Sequence, residues 1–308
     1  MNPMKKLISI LSLSLLFTAC EETDILDQTG KLEVNDLNLP YLPNGYFYEG
    51  WLLVDGSYVS VGTINNDSIA NNRARFSQIE VNDLNQAQAF AITVETSGNP
   101  APSNYVLLLG QFNGNIAELT TDAELPNGIL SISNRISGSY TVQNATVPSS
   151  DAGNYTENGV WFFKGTGNEK EKTLNLDYQG LNYQAWVQKM ENNSLNTLNM
   201  GVITSDTLAD NWRGFTKPEY QPNTPKFPGE DFLQQPATGT IYPENFFPMN
   251  VRGAKVFITP ILPNYSSTTE PFPIILLEAT IPQNAVVDPY LTRELQKNTQ
   301  YRAKAIKQ

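Results

Sequence analysis

Residues 30–288 predict an all-β protein built as two tandem β-sandwich domains. Apolar and polar residues alternate over short runs, turn clusters recur between those runs, and one block of about 90 residues occurs twice. The composition agrees. Of 308 residues only 17% are charged and 10% are aromatic, with 20 Gly and 20 Pro, which suits a turn-rich chain that buries a core.

The first copy opens at Lys31-Leu32-Glu33-Val34 and continues through Tyr48-Glu49-Gly50-Trp51 to Gly62-Thr63-Ile64. The second runs Thr173-Leu174-Asn175-Leu176, Tyr183-Gln184-Ala185-Trp186 and Gly201-Val202-Ile203. Phe90 to Val94, a Pro100/Pro102 turn and Tyr105 to Leu109 follow in the first copy. Val256 to Thr259, a Pro271/Pro273 turn and Ile274 to Leu277 answer in the second. Between Trp51-Leu53-Val54 and Tyr58-Val59-Val61 stands Asp55-Gly56, a pair suited to the positive φ angles of a two-residue hairpin turn.

The first copy carries an extra β-like block, from Ile129 to Val147 and then Gly159 to Phe163. The second lacks it and inserts a polar, Pro-rich loop from Asp206 to Pro248. The expected boundaries are 30–163 for the first sandwich, 164–172 for a linker and 173–288 for the second sandwich. Residues 289–308 form a basic tail, with Leu291 and Leu295 at helical spacing.

The N-terminus has a different character. Lys5 and Lys6 precede an apolar run from Leu7 to Phe17, too short to cross a hydrocarbon core of about 30 Å. The string Leu16-Phe17-Thr18-Ala19-Cys20 resembles the lipobox of bacterial lipoproteins. That resemblance implies removal of residues 1–19 as a signal peptide and lipidation of Cys20, with anchoring in the outer membrane. Residues 20–29 then form an acidic tether. Glu21-Glu22-Thr23-Asp24 is similar to the surface-export signal of Bacteroidota lipoproteins, which implies display at the cell surface. A plain solvated tether on the periplasmic face is the other reading.

The formal net charge is −11, and loss of the two leader lysines makes it more negative. An acidic surface repels phosphate backbones, so nucleic acid is not an expected partner. The chain has no histidine and one cysteine. Ser-His-Asp catalysis, Cys-His catalysis and histidine-ligated metals are therefore excluded. No cofactor is implied.

Tyr48-Glu49-Gly50-Trp51-Leu52-Leu53-Val54-Asp55-Gly56 followed by Val61-Gly62-Thr63 resembles the extracytoplasmic domain of anti-sigma-K factors. Phe90 to Val94 and Pro100-Ala101-Pro102 extend the match. The resemblance implies immunoglobulin-like sandwiches, here in tandem within a Bacteroidota-type lipoprotein. Sigma-factor inhibition needs a cytoplasmic helical domain and a spanning helix, and the sequence shows neither. The expectation is therefore a shared fold without sigma binding.

The candidate site residues are few. Trp51, Trp186, Tyr48 and Tyr183 recur at equivalent positions and read as core aromatics. Trp161 and Trp212 lie in non-repeated segments, and Trp212 with Tyr220 forms a candidate ligand platform for a glycan or protein. Glu230-Asp231, and Asp151 with Glu157, read either as calcium ligands or as turn formers. Asp67-Ser68-Ile69 and Asp206-Thr207-Leu208 resemble an O-glycosylation signal of Bacteroidota envelope proteins, which makes Ser68 and Thr207 candidate modification sites. Two capped turns explain the same residues. The expected function is a non-catalytic binding or structural module. A spacer or sensor derived from an anti-sigma factor is the alternative, and a carboxylate-based glycoside hydrolase is a third reading.

Overall fold

A computed structural model describes residues 29–96, 101–265, 267 and 269–308. Cys20, the expected signal peptide and most of the expected tether lie outside the described residues.

The chain order begins with β1 (Thr29–Asn38), β2 (Tyr46–Val54), β3 (Ser57–Ile64), α1 (Asn66–Ala70), β4 (Arg73–Glu80) and α2 (Val81–Gln86). β5 (Ala89–Thr96), β6 (Val106–Asn113) and β7 (Ile116–Thr120) complete the first part. The middle contributes β8 (Ser137–Val142), β9 (Gly159–Trp161), β10 (Phe163–Lys164), β11 (Glu171–Lys172) and β12 (Leu174–Asn175). Then come β13 (Asn182–Glu191), β14 (Ser194–Ile203), β15 (Gly229–Asp231), β16 (Lys255–Ile261) and β17 (Leu277–Thr280). The chain ends with β18 (Arg293–Glu294), β19 (Gln296–Lys297) and β20 (Arg302–Lys307). The protein is all-β, as expected.

The repeat is real at the level of strand pairing. One sheet contains the order β3-β2-β5-β6-β7 and another the order β14-β13-β16-β17-β19. Both hairpins shift register immediately before the tryptophan, between Gly50 and Trp51 and between Ala185 and Trp186. Both indoles donate to a threonine on the neighbouring strand: Trp51 Nε1 to Thr93 Oγ1 at 2.8 Å, and Trp186 Nε1 to Thr259 Oγ1 at 3.1 Å. Asp55 and Gly56 turn the first hairpin with φ of 49° and 80°, and Asn192 and Asn193 turn the second with 50° and 62°. Both turns meet the positive-φ requirement of a tight hairpin.

The first sheet extends beyond the repeat as β7-β20-β1-β4, giving eight strands. Phe76 on β4 lies near Gly62 on β3, so the sheet curls until its two edges face each other. Residues on β2 are buried on both faces. Tyr48 and Leu52 join the main core, while Trp51 and Leu53 join a satellite cluster with Ala89, Ala91 and Leu125.

The expected boundaries change in three places. β20 pairs with β1 and β7, so the C-terminus is a strand in the middle of the first sheet rather than a helical tail. Its reason is a period of two: Tyr301, Ala303 and Ala305 are buried while Arg302, Lys304 and Ile306 are less so. The expected linker contains β11, which pairs with β10 as a short hairpin. β8 and β9, placed by sequence in the first sandwich, pair with β12, β15 and β18 of the later chain. One hydrophobic core runs from Leu32 to Ala305 through both repeats.

The repeats meet end to end. Tyr46 donates to the Pro263 carbonyl at 2.7 Å and packs on Tyr265 and Phe272. Arg135 binds Asp177 at 2.6 Å. Thr29 lies at the opposite end of β1, whose ten residues span roughly 30 Å. The chain therefore enters the first repeat at the end away from the second.

Candidate binding site

A groove of about 480 Å³ opens beside the second repeat, walled by 143–147, 152–156 and 165–170 and rimmed by Val287 and Pro289. Tyr155 and Phe163 are the aromatic residues that line it. Phe163 stacks on Phe227 at 5.2 Å and meets Trp161 edge-on at 5.7 Å, and all three rings are buried.

Trp161 is bonded to a buried carboxylate. Asp231 on β15 accepts Trp161 Nε1 at 2.6 Å, the Ala145 and Thr146 amides at 3.2 and 2.8 Å, and the Thr146 hydroxyl at 2.5 Å. These bonds pin the groove wall to the sheet. Burial raises the Asp231 pKa, and the four donors oppose that rise.

Two more acids lie beside it. Asp210 accepts from the Gly229 amide at 2.8 Å and from Arg213 at 2.7 Å, and burial pushes it up to about 6. Glu230 is fully buried; it accepts the Thr216 hydroxyl on one oxygen, and its other oxygen has no partner. Burial holds its pKa well above the usual carboxylate range. Glu230 and Asp231 are thus strand residues paired with β9, not members of an open turn. No group of three potential metal-ligating side chains occurs among the described residues.

The rim is an exposed apolar loop. Val286, Val287, Tyr290 and Leu291 are 58%, 38%, 56% and 44% exposed. Its backbone is held firmly. Arg252 donates twice to the Ala285 carbonyl, at 2.8 and 2.7 Å, and Arg293 donates to the Val286 carbonyl at 3.2 Å. The Gly165 amide donates to the Pro289 carbonyl at 2.7 Å, and Tyr290 and Thr166 share a hydroxyl contact at 3.1 Å. The loop follows the Thr280 end of β17, which pairs with Lys255 at the end of β16 away from Pro263. It therefore sits at the far end of the second repeat from the junction.

The sequence-predicted residues fall elsewhere. Tyr220 is buried, donates to Asp151 at 3.0 Å and meets Tyr155 edge-on. Trp212 is half-buried against Phe215. With Tyr220 covered, the two do not form a shared open platform. Trp161 is fully buried against Phe163. Glu157 pairs with Arg252 at 2.9 Å.

Ser68 lies in α1, where its hydroxyl donates to the capping Asn65 at 3.0 Å. Thr207 is exposed, and its hydroxyl is 3.2 Å from Ser205 Oγ. Asp206 before it is buried and accepts from Tyr178 at 2.6 Å and Lys172 at 3.0 Å. The two Asp-Ser/Thr motifs therefore occupy a helix and a turn.

The expected boundary at 288/289 splits the 286–291 loop between the second sandwich and the tail, where Leu291 is read with Leu295 at helical spacing. Its signal is the string Ala285-Val286-Val287-Asp288-Pro289-Tyr290-Leu291, in which apolar residues cluster around Asp288-Pro289 without alternating.

Residues 25–106 match the family described as anti-sigma-K factor rskA, C-terminal. The match covers β1 to β5, within the first repeat and its flanking strands. No curated protein and no solved structure matches the chain. No helix among the described residues is long and apolar enough to cross a membrane.

Proposed function

We propose that the chain is a lipid-anchored envelope protein that recognises a partner and performs no chemistry. The carrying observation is the rigidly held apolar loop beside the groove. Four of its large apolar side chains are solvent-exposed although two arginines fix its backbone. An ordered apolar patch next to a groove suits docking, because its entropy of ordering is already lost before the partner arrives. Under this reading Cys20 carries the anchor, and the first repeat spaces the groove away from the outer membrane, on the cell surface.

The carboxylates favour recognition over hydrolysis. Glycoside hydrolysis needs two acids facing each other across a cleft. Asp210, Glu230 and Asp231 are instead buried and bonded to backbone, threonine, arginine and indole groups, and none of them lines the groove. A spacer or sensor role fits the first repeat in particular, because the anti-sigma-like match lies there.

The test is capture from envelope extracts. The full chain and a Val287→Asp/Tyr290→Asp variant are compared under identical conditions. A partner retained by the first and lost by the second is the expected result. Equal retention overturns the assignment of this face.

A further inference from the structure

We propose that the first sheet is a mechanical clamp that carries tension between the membrane anchor and the second repeat. The proposal rests on the anchored, partner-binding reading above and names what the first repeat contributes to it.

The clamp follows from the path of the chain. β7 and β20 are paired neighbours in the first sheet, yet the chain leaves one at Thr120 and enters the other at Arg302. Residues 121–301, with β8 to β19 and all strands of the second repeat, are thus inserted between two adjacent strands. A plain tandem pair hangs on one linker, whereas two crossings join these repeats. The crossings are bonded to each other and to β1. The Thr121 hydroxyl donates to the Asn298 carbonyl at 2.9 Å, and Asn38 Nδ2 at the end of β1 donates to the Gln300 carbonyl at 2.7 Å.

A load between anchor and second repeat pulls neighbouring strands in opposite directions. Tension from the anchor enters β1 at Thr29. Tension from the second repeat enters β20 at Arg302, which pairs with Asn38 at the other end of β1. The two strands are antiparallel, so each is drawn from its own first residue and they are made to slide past each other. Hydrogen bonds of an antiparallel ladder lie across the strands, so a force along them strains every bond together. β1 is held on its other side as well, where Thr29 to Asn35 pair with Glu80 to Arg73 of β4. Leu32, Val34, Ala303 and Ala305 are buried, and a slip of one residue would turn such side chains to the other face.

The same ladder can also be opened from one end. The Gln308 amide donates to the Lys31 carbonyl at 2.9 Å, so the last residue of the chain lies beside the start of β1. A load applied between these two points parts the bonds one after another.

Single-molecule stretching of the full, unlipidated chain compares the two directions. One handle is fixed to Cys20. The other is fixed at Gln300→Cys, which shears the β1–β20 ladder, or at Gln308→Cys, which peels it. At one loading rate the first rupture through position 300 is expected to need at least about twofold the force needed through position 308. Equal forces, or a weaker rupture through position 300, overturn the proposal. Capture from envelope extracts applies no load, so it decides the recognition reading separately.

Discussion

The two repeats share a five-strand order, a register shift and a Trp-to-Thr hydrogen bond, yet they end as different objects. In the first, β20, β1 and β4 prolong the sheet until its edges face each other. In the second the sheet stops at five strands, and the chain is spent on the long insertion between β14 and β16. That insertion carries the buried acids, β15 and the Phe227 that stacks on Phe163. The shared unit is therefore a scaffold, and the difference lies in what its loops are used for. One copy closes on itself and the other builds a surface.

The largest expected effect comes from deleting residues 302–308. The first sheet loses a central strand, and β1 and β7 lose their shared partner. Hydrogen exchange should then show β1 and β7 unprotected while β13 and β16 still exchange slowly. Persistent protection of β1 would mean that closure does not set the first repeat apart.

Trp51→Ala and Trp186→Ala test the shared feature. Both rings are buried, and each substitution is expected to cost about 3–5 kcal/mol in denaturant unfolding. A large disparity would show that one repeat no longer depends on the common bond.

The glycines beside the shared register shifts, in β3 and β14, separate the copies more finely. Gly62 and Gly201 have φ of 120° and 109°. A Cβ on Gly62 would meet only Phe76, at 3.6 Å, whereas one on Gly201 would stand 2.6 Å from Asp210 Oδ1 and 2.9 Å from Trp212 Cβ. Gly62→Ala should cost about 1 kcal/mol from backbone strain, and Gly201→Ala about 3 kcal/mol because overlap is added. Equal costs in urea titrations would mean that the insertion yields freely.

The carboxylates whose pKa burial raises, Asp210, Glu230 and Asp231, all lie in the insertion of the second repeat. A carboxylate whose folded pKa is raised binds more protons folded than unfolded, so stability falls as pH rises from its unfolded value through its folded one. For Asp210 that window runs from 3.8 to about 6, and for Glu230 it extends well above 4.5. The fall is expected to be of order 2 kcal/mol. Glu230→Gln should flatten the upper part of the profile while leaving pH 4 unchanged. A profile identical to that of the parent chain would place the proton elsewhere.

The hairpin turns give the smallest effect. Asn193→Gly should stabilise by about 0.5 kcal/mol, because glycine adopts positive φ without steric cost, and Gly56→Asn should lose a similar amount. Thermal melts of the pair would reveal whether the two turns are as alike as their angles.

Much of this was legible along the chain. The Asp55-Gly56 turn and the paired Tyr and Trp positions gave the repeat, because local turn chemistry and period-two burial are written in neighbouring residues. β20 was hidden because its buried positions are mostly alanine, whose weak apolar signal was outweighed by the spacing of Leu291 and Leu295. Glu230 and Asp231 read as turn formers or calcium ligands because two adjacent acids after Pro228-Gly229 are rarely buried. Donors from Ala145, Thr146 and Trp161, at least 70 residues away, and from Thr216 make that burial tolerable. Tyr220 and Trp212 looked like a platform because both are aromatics in a polar loop. Asp151 and Phe215 turned them inward.

The all-β class, the duplicated unit and the absence of histidine chemistry were determined by the sequence alone, since each depends on residue identity or on spacing within a few positions. The closure of the first sheet, the joining of β8 and β9 to the second repeat and the groove itself were decided only by tertiary structure. Each depends on segments distant in the chain meeting, and no local pattern encodes which edge a strand will join.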